Sequence, residues 1–235
     1  MDLSIIVPTY NEAENVPLLL WLLNKHIPSN TRWEVIVVDD ASPDGTADVA
    51  ERLASAWPQL VLRVLRRPHK SGLGSAYRHG LQHARGELVL LLDADLSHHP
   101  KYIPRFLQQQ SQTGCDIVTG TRYQQGGGVA GWSLRRKLVS RGANLIASFL
   151  LGAHTSDLTG AFRLYKREVL QRLLAVTTSA GYAFQMEVIV RAQYEGCSIR
   201  EVPIVFVDRI YGSSKLGPSE FYLFLKGLLK LLFSL

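Results

Sequence analysis

The sequence predicts an α/β fold in which a mostly parallel β-sheet is covered by helices on both faces. Over the first 120 residues, short apolar segments alternate with helical segments, the order typical of β-α-β units. The predicted strands are nearly continuous apolar runs, as strands buried on both faces require. With 235 residues, 46% of them hydrophobic and 20% charged, the chain can bury a core without covalent cross-links.

Each element of this first half has a local signal. Strands are predicted at residues 3–7, 33–38, 60–65, 88–92 and 116–119. Helices are predicted at residues 15–26, 46–57 and 72–84, and a further helix begins at Pro100. Pro17 falls in the first turn of the first helix and Pro58 follows the second, so both prolines agree with these boundaries.

The second half is less regular. Glycines 126–128 predict a mobile loop, and the basic, then apolar segment that follows predicts a helix over residues 132–151. Strands are predicted at 161–165 and 199–206, with a helix at 182–194 between them and a Gly/Ser loop at 209–218 after them. The final helix, 219–235, has a broad apolar face, which is typical of a membrane interface or a partner contact, or of packing on the chain's own core.

The net charge of +6 is unevenly distributed along the chain. Residues 1–120 hold 11 Lys and Arg against 13 Asp and Glu, whereas residues 121–235 hold 15 against 7. The first half therefore has carboxylates that are available to bind a metal. The second half is suited to an anion, whether a phosphorylated substrate, an anionic membrane or nucleic acid. No nucleic-acid-binding motif accompanies the charge, so we expect no nucleic-acid partner.

Cysteine usage and hydropathy exclude other classes. Cys115 and Cys197 are too few for a disulfide scaffold or a zinc knuckle, which favours a reducing compartment. No stretch reaches the ~18 uninterrupted apolar residues of a membrane span. The first residues lead straight into an apolar run, so we expect no cleaved signal peptide.

Three predicted strands end in polar motifs, and the carboxyl ends of such strands are where α/β sheets bind ligands. Asp93 and Asp95 follow the strand at 88–92, and two carboxylates so close repel each other without a cation. Their oxygens suit Mg²⁺ or Mn²⁺, although an acidic loop before a helix cap would have the same composition. Asp39 and Asp40 end the strand at 33–38, where a carboxylate can accept hydrogen bonds from a ribose or a base. The third motif is Pro8-Thr9-Tyr10-Asn11-Glu12.

Other motifs have simpler interpretations. Gly72-Leu73-Gly74 follows the third strand rather than the first and lacks a third glycine, so we interpret it as a close-packed helix start rather than a dinucleotide site. His98 and His99 are interpreted as surface or outer-sphere histidines rather than metal ligands. Arg136 and Ser140 are four residues apart on one helix face and can hold a phosphate between them, whereas Arg135 and Lys137 point elsewhere, where they can meet anionic headgroups. Five basic residues of the second half are candidates for binding an anion: Arg122, Arg135, Arg136, Arg209 and Lys215.

These motifs carry a family resemblance. The segments at 8–12, 38–40, 42–46, 72–74 and 93–100 resemble the inverting GT-A glycosyltransferases of family 2. The segments at 120–123, 140–144, 156–160, 162–165, 182–192 and 207–212 narrow the resemblance to the dolichol-phosphate mannose synthases. It extends over residues 3–229, nearly the whole chain.

The resemblance implies a GT-A fold with a C-terminal helical extension, and transfer of mannose from GDP-mannose to dolichyl phosphate with inversion, for protein glycosylation and GPI-anchor synthesis. It assigns the nucleotide to Pro8, Tyr10, Glu12, Val38 and Asp40. It assigns the metal (Mg²⁺ or Mn²⁺) and the diphosphate to Asp93, Ala94 and Asp95, and a loop that closes over the donor phosphates to Arg209 and Lys215. It assigns the acceptor phosphate to Arg122, Arg136 and Ser140, and it makes Asp95, Arg122 and Lys215 the catalytic set. Ser97 stands where some relatives have a ligating Gln, so either Ser97 or water completes the metal site.

The resemblance also sets the organisation of the chain. It implies a catalytic domain over residues 1–218, divided into a nucleotide and metal half (1–120) and an acceptor half (121–218), followed by an amphipathic helix at 219–235. It implies a short form at the cytosolic face of the endoplasmic reticulum membrane, held there peripherally with small hydrophobic transmembrane partner subunits. The helices at 132–151 and 219–235 are the predicted membrane contacts. Two alternatives remain open: another donor such as UDP-glucose, and a non-catalytic nucleotide-binding subunit.

Overall fold

The computed structural model describes residues 1–179, 181, 183–209 and 218–233. Within them the larger sheet contains seven strands in the order β3-β2-β1-β4-β7-β5-β8, and a second sheet pairs β6 with β9. The strands are β1 Leu3–Thr9, β2 Trp33–Asp39, β3 Leu62–Arg66, β4 Leu88–Leu91, β5 Ile117–Thr121, β6 Gly128–Ala130, β7 Arg163–Lys166, β8 Ile199–Pro203 and β9 Val205–Val207. The predicted α/β fold with a mostly parallel sheet is confirmed.

The helices alternate with the strands of the first half as predicted. They are α1 Asn15–His26, α2 Thr46–Ala56, α3 Leu73–His83, α4 Ile103–Thr113, α5 Leu134–Leu150, α6 Arg167–Val176, α7 Ala183–Tyr194 and α8 Pro218–Leu232, with a 3₁₀ turn at Pro100–Tyr102. The predicted starts at Pro100 and near residue 132 lie within two residues of helical elements. Tyr182, predicted to begin α7, lies outside the described residues, and so do residues 234 and 235.

The two faces of the large sheet bury two separate apolar clusters. Along β1, Leu3, Ile5 and Val7 pack with α1, α2 and α4, whereas Ile6 packs on the opposite side with α3, α6 and α7. Because side chains alternate along a strand, a sheet covered on both faces needs apolar residues at every position. This requirement explains the continuous apolar runs of the sequence.

The structure corrects four expectations in the second half. The predicted mobile loop at 126–128 ends in β6, which pairs with β9 from Gly128 to Ala130. The predicted strand at 199–206 is two strands in different sheets, and α6 had no predicted counterpart. The predicted strand at 161–165 is the shorter β7, which runs antiparallel between β4 and β5.

An ion pair stabilises the amino end of β5, far from the carboxyl ends of the strands. Asp116 accepts hydrogen bonds from the Lys166 ammonium at 2.9 Å and from the Ser198 hydroxyl at 2.7 Å. Burial alone would raise the pKa of Asp116, but these hydrogen bonds outweigh it and lower the pKa to about 2. The carboxylate is therefore stabilised in its charged form.

Candidate active site

The loops after β1, β2 and β4 meet in a cleft of about 260 Å³. Parallel strands end at one edge of a sheet, so their loops converge there. The cleft is lined by Pro8, Thr9, Tyr10, Glu12, Asp40, Lys70, Gly72, Leu73, Ala76, Asp93, Ala94, Asp95, Gly181 and Arg209. Most of the residues predicted for the donor are in this set.

The same three loops hold the non-glycine residues with positive φ among the described residues. They are Asn11 at 57°, Ala41 at 54° and Leu96 at 63°. The left-handed region costs an L-residue about 1–2 kcal/mol, so the surrounding contacts must impose it. Such strain concentrates where a backbone is held for binding or catalysis.

Asp39 and Asp40, at the carboxyl end of β2, make different contacts. Asp39 supports the loops: it accepts hydrogen bonds from the Thr9 hydroxyl at 2.9 Å and the Ser42 amide at 3.0 Å. Asp40 lines the cleft and is paired with the buried Arg67 guanidinium. The ion pair positions the Asp40 carboxylate at the end of the cleft, where its oxygens can accept hydrogen bonds.

Tyr10 and Glu12 occupy the first loop. The Lys70 ammonium lies 4.4 Å from the centre of the Tyr10 ring. Glu12 is buried, accepts a hydrogen bond from the Asn15 side chain at 2.7 Å, and its amide donates to the Thr46 hydroxyl at 2.9 Å. The loop is thereby fixed against the start of both α1 and α2.

Asp93 and Asp95 stand together at the end of β4. Enclosure by the protein, together with the negative charges of Asp95 and Glu12, raises the pKa of Asp93 to about 7. Asp95 forms an ion pair with Arg209, whose Nη2 lies 3.1 Å from Oδ2. The other oxygen, Oδ1, accepts the Ser97 hydroxyl at 2.6 Å and the Ser97 amide at 3.1 Å.

His98 packs beneath this acidic pair. Its Nδ1 lies 3.7 Å from Asp93 Oδ2, and its ring contacts Phe162 and Phe206. Burial lowers the pKa of His98 to about 4, so the imidazole is neutral at pH 7 and the contact is not an ion pair. This agrees with the outer-sphere interpretation of His98. His99 accepts a hydrogen bond from the Lys101 amide and packs on His26.

The donor set at the end of β4 fits a divalent cation of the Mg²⁺ or Mn²⁺ class. Asp93 and Asp95 supply hard carboxylate oxygens whose mutual repulsion a cation would relieve. Within the described residues no group of three or more His, Cys, Asp or Glu side chains is placed to hold a metal. Two carboxylates suffice for a cation that takes its other ligands from substrate phosphates and water. Ser97 is buried and donates its hydroxyl to Asp95, so the structure does not bring it to the cleft.

A second, cationic cluster lies beside the acidic one. Arg122 is 9% exposed and forms a two-pronged ion pair with Asp157, with Nε to Oδ2 and Nη2 to Oδ1 both at 2.7 Å. Burial would lower the pKa of Arg122, but the charge of Asp157 outweighs it and raises the pKa. Arg136, on α5, is half-exposed; its Nη1 lies 3.3 Å from Asp208, and its guanidinium carbon lies 4.0 Å from the centre of the Trp132 ring.

Strand β9 joins the two clusters. Its residue Val207 donates its amide to the carbonyl of Ser97 at 3.1 Å, in the loop that carries the acidic pair. Its residue Phe206 contacts His98 with a ring separation of 5.1 Å and Trp132 with one of 5.5 Å. Phe206 of β9 therefore contacts residues of both clusters, His98 beneath the acidic pair and Trp132 and Arg122 of the cationic one.

The remaining predicted residues lie as follows. Ser140 is on α5 and its hydroxyl is 2.9 Å from that of Tyr123. The Val38 side chain is fully buried in the core and is not among the residues that line the cleft. Lys215 lies outside the described residues. Sequence reasoning assigned no site role to Arg67, Lys70, Asp157 or Trp132, because their partners are distant in the chain. For Asp157 the family motif at 156–160 was the available signal.

Comparison with known proteins identifies the family. The Glycosyl transferase family 2 pattern matches residues 4–174. The chain belongs to glycosyltransferase family 2. The predicted resemblance is confirmed, and the chain is an enzyme of the glycosyltransferase class, which removes the non-catalytic alternative.

Two curated relatives of this glycosyltransferase are similar over most of their length. A polyprenol monophosphomannose synthase of Mycolicibacterium smegmatis is 42% identical over 220 residues, covering 92% of this chain and 81% of the relative. An undecaprenyl-phosphate mannosyltransferase of Micrococcus luteus is 40% identical over 223 residues, covering 92% and 88%. Both are bacterial proteins.

Solved structures confirm the GT-A-like fold of the family 2 enzyme. Glucosyl-3-phosphoglycerate synthase from Mycobacterium tuberculosis, in complex with Mn²⁺, UDP and glucosyl-3-phosphoglycerate, superposes with a TM-score of 0.70 at 19% identity, covering 99% of this chain and 79% of that one. A complex of the same enzyme with Mg²⁺ and UDP gives 0.70 at 19% identity, covering 99% and 78%. Among the described residues, no helix combines the length and the apolar content that crossing a membrane requires.

Proposed function

We propose that this glycosyltransferase transfers mannose from GDP-mannose to the phosphate of a polyprenyl phosphate such as dolichyl phosphate, with inversion at the sugar. The observation that carries the proposal is the proximity of the two charged clusters: Phe206 lies 5.1 Å from His98, which packs beneath Asp93, and 5.6 Å from the Arg122 guanidinium. A carboxylate site and a guanidinium site next to each other suit two anionic substrates, one of them bound through a cation.

The relatives supply the identity of the sugar and of the acceptor class. Both have names that state mannose transfer and a polyprenyl phosphate, and both are at least 40% identical to this chain over nearly its whole length. Because of this similarity, we propose for this chain the sugar and the class of acceptor that the names of the relatives state. The guanosine nucleotide is our own inference from the resemblance, and UDP-glucose is the alternative donor against which it is tested.

The proposed roles follow the geometry of the cleft. Asp40, paired with Arg67, would accept hydrogen bonds from the nucleoside, and Pro8, Tyr10, Glu12 and the backbone near Val38 would enclose the nucleotide. Asp93, Ala94 and Asp95 would hold Mg²⁺ or Mn²⁺ with the diphosphate, and Arg209 and Lys215 would cover the donor phosphates. When bound, the cation would neutralise charge on the departing nucleotide. The metal use of the solved neighbours supports this class of cation.

The acceptor chemistry explains the residues of the cationic side. A phosphate monoester has its second pKa near ~6 and is already an anion at pH 7, so an oxygen nucleophile is available without a general base. Its oxygen would form a bond to the sugar C1 as the bond from C1 to the diphosphate breaks, which gives a β-linked product from an α-linked donor. Arg122, Arg136 and Ser140 are proposed to hold the acceptor phosphate in line for this displacement.

The acceptor's polyprenyl chain has to reach the site from a membrane, and α5 is the surface we propose for that contact. Leu134, Leu138 and Phe149 on α5 are exposed by 78%, 73% and 84%. The helix has no acidic residue and carries Arg135, Arg136, Lys137 and Arg141. An apolar face flanked by cations is typical of a helix lying in an anionic membrane interface. α8 also exposes Leu229, and the exposed Phe233 follows it directly, so this end of the chain remains a second proposed contact.

The proposed cellular location of the enzyme depends on which polyprenyl phosphate it uses as acceptor. If the chain uses dolichyl phosphate, we propose the cytosolic face of the endoplasmic reticulum, where the product would serve protein glycosylation and GPI-anchor synthesis. Small hydrophobic transmembrane partner subunits stay a prediction, which co-purification with membranes would test. The division into residues 1–218 and 219–235 also stays a prediction.

Labelled mannose transfer tests the proposal. The full chain is incubated with GDP-mannose or UDP-glucose, with dolichyl or undecaprenyl phosphate, and with Mg²⁺, Mn²⁺ or a chelator. We expect transfer from GDP-mannose only, with a polyprenyl phosphate and a divalent cation. Transfer from UDP-glucose alone would replace the donor and keep the acceptor side. Transfer from neither donor, with membranes added, would refute the proposed reaction.

A further inference from the structure

Trp132 lies between the two arginines of the cationic cluster, and no part of the proposed function uses it. We infer that Trp132 is a positioning residue for the acceptor-phosphate site, holding Arg136 against its ring so that the guanidinium faces the phosphate. The inference rests on the proposed function, because it concerns the same acceptor site. Trp132 would act through the arginines and not by contact with the isoprenyl chain.

The first support is that the charges of the two arginines are neutralised to different extents. The Nε and Nη2 groups of Arg122 are both bonded to Asp157, which is fully buried, and Nη2 also donates to the Thr159 hydroxyl at 2.6 Å. The Arg122 charge is thus neutralised by its own ion pair, and one side of its guanidinium is already used. Arg136 is more exposed, and its partner Asp208 is 42% exposed and 3.3 Å away. Arg136 is therefore the cation with more unneutralised charge to offer a phosphate.

The second support is the geometry around the indole ring. The guanidinium carbon of Arg136 is 4.0 Å from the centre of the Trp132 ring, and that of Arg122 is 6.0 Å away. Arg122 also lies 5.6 Å from the Phe206 ring, and Phe206 packs edge-on against Trp132 at 5.5 Å. These distances are within the ~6 Å over which a cation is attracted to an aromatic face. One aromatic pair thus contacts both guanidinium groups.

The third support is the weak attachment of the segment that carries Arg136. Of the 17 residues of α5, Asn144 and Ala147 are the buried ones, and both lie in its second half. Arg136 is in the first turn, and a long side chain there loses much rotamer entropy when it is fixed. The Trp132 ring supplies a flat, rigid surface that limits this freedom before the phosphate arrives.

The backbone holds Trp132 in place. Gly131, directly before it, has φ of +85°, and a Cβ at that position would lie 3.0 Å from the Cβ of Asp208. The Asp208 amide donates to the carbonyl of Ala130 at 3.2 Å. The turn thus brings the residue after β6 against the end of β9, with the indole and the carboxylate partner of Arg136 on adjoining positions.

Calorimetric binding of two probes to the full chain tests the inference, with GDP and Mg²⁺ present. The probes are citronellyl phosphate and its alcohol, citronellol, which share the isoprenyl chain and differ by the phosphate. In Trp132→Leu we expect affinity for the phosphate to fall about fivefold or more, with affinity for the alcohol unchanged. Trp132→Phe keeps a smaller ring, so its loss should be smaller.

Trp21→Leu is the matched control. Trp21 is 50% exposed on α1, and its ring also carries a cation, since Lys25 Nζ lies 4.8 Å from the ring centre. Both affinities should equal those of the wild type in this variant. Thermal unfolding of each variant verifies that the fold is retained, and Trp132→Phe keeps the test valid if Trp132→Leu is unstable.

The outcomes separate the inference from the proposed function. Unchanged phosphate affinity in Trp132→Leu overturns the inference while leaving the proposed function intact. An equal loss for the phosphate and the alcohol also overturns it, because Trp132 would then contact the isoprenyl chain. A wild-type chain that prefers neither probe refutes the proposed acceptor class and the inference with it. A phosphate-selective loss that Trp132→Phe largely restores supports the inference.

Discussion

Asn144 connects α5 to the body of the enzyme, and Asn144→Ala tests that connection. The side chain is 6% exposed and bridges the loop between α5 and β7. Its Nδ2 donates to the Ser156 carbonyl at 2.7 Å, and its Oδ1 accepts the Leu158 amide at 2.9 Å. The same loop carries Asp157, the partner of Arg122. The Asn144 side chain thus fixes the position of α5 relative to the loop that pairs with Arg122.

The expected loss of stability in Asn144→Ala follows from these two hydrogen bonds. Loss of the bond to the Ser156 carbonyl costs about 1 kcal/mol, and the buried Leu158 amide left without an acceptor costs about 1–3 kcal/mol. We therefore expect Asn144→Ala to lower the free energy of unfolding by about 2–4 kcal/mol. For a chain of this size each kcal/mol lowers Tm by about 2–4 °C, so the total shift should be roughly 5–15 °C.

Urea and thermal unfolding followed by circular dichroism measure this change, and transfer kinetics accompany them. The KM for polyprenyl phosphate should rise more than the KM for the nucleotide sugar, because α5 carries Arg136 and Ser140, which we propose to bind the acceptor phosphate. Asn24→Ala is the control: Asn24 is an exposed residue on α1, and such a change is expected to stay within about 0.5 kcal/mol. A loss of stability no larger than in this control would show that the bridge does not hold α5.

Three further predictions concern the acidic pair, the amino end of β5 and α5. Asp95→Asn should lower kcat by at least about 10²-fold, because removing one preorganised charge contact at a reacting phosphate costs that much, whereas Asp116→Asn should leave kcat unchanged. Asp116→Asn should instead cost at most about 2 kcal/mol of stability at pH 6. This difference should shrink as pH falls from about 4 towards 2 and be lost below that, because the stabilisation from a depressed carboxyl pKa is complete above the unfolded pKa and disappears as pH falls through the folded one. Urea unfolding at several pH values measures it, and a constant difference would contradict the assignment. Replacing both Leu138 and Phe149 by Glu should abolish flotation with anionic vesicles, whereas Val61→Glu, also at an exposed apolar position, should not; unchanged flotation of the double variant would exclude α5 as the contact.

Local patterns were sufficient for the first half of the chain. The apolar runs and Pro17 lie within a few residues of the structure they specify. Gly45, directly before α2, has a φ of +79°, a conformation that favours glycine. The strand-end motifs could be assigned to one site because parallel strands end at a common edge. The prediction that glycines let α3 start close to its neighbour also holds, since a Cβ on Gly74 would lie 2.7 Å from Phe184.

The acceptor side depended on contacts between distant parts of the chain. Arg122 meets Asp157 across 35 residues, and Trp132 meets Phe206 across more than 70. β7 runs antiparallel between two strands of the first half, and the pattern of its own four residues does not specify those neighbours or its direction. The motifs therefore carried the family resemblance, and the charge count gave the acidic and basic halves, because both depend on residue type and local order. Packing alone decided which arginine is neutralised and which aromatic ring supports the other, because burial and charge pairing depend on side chains that only the folded chain brings together.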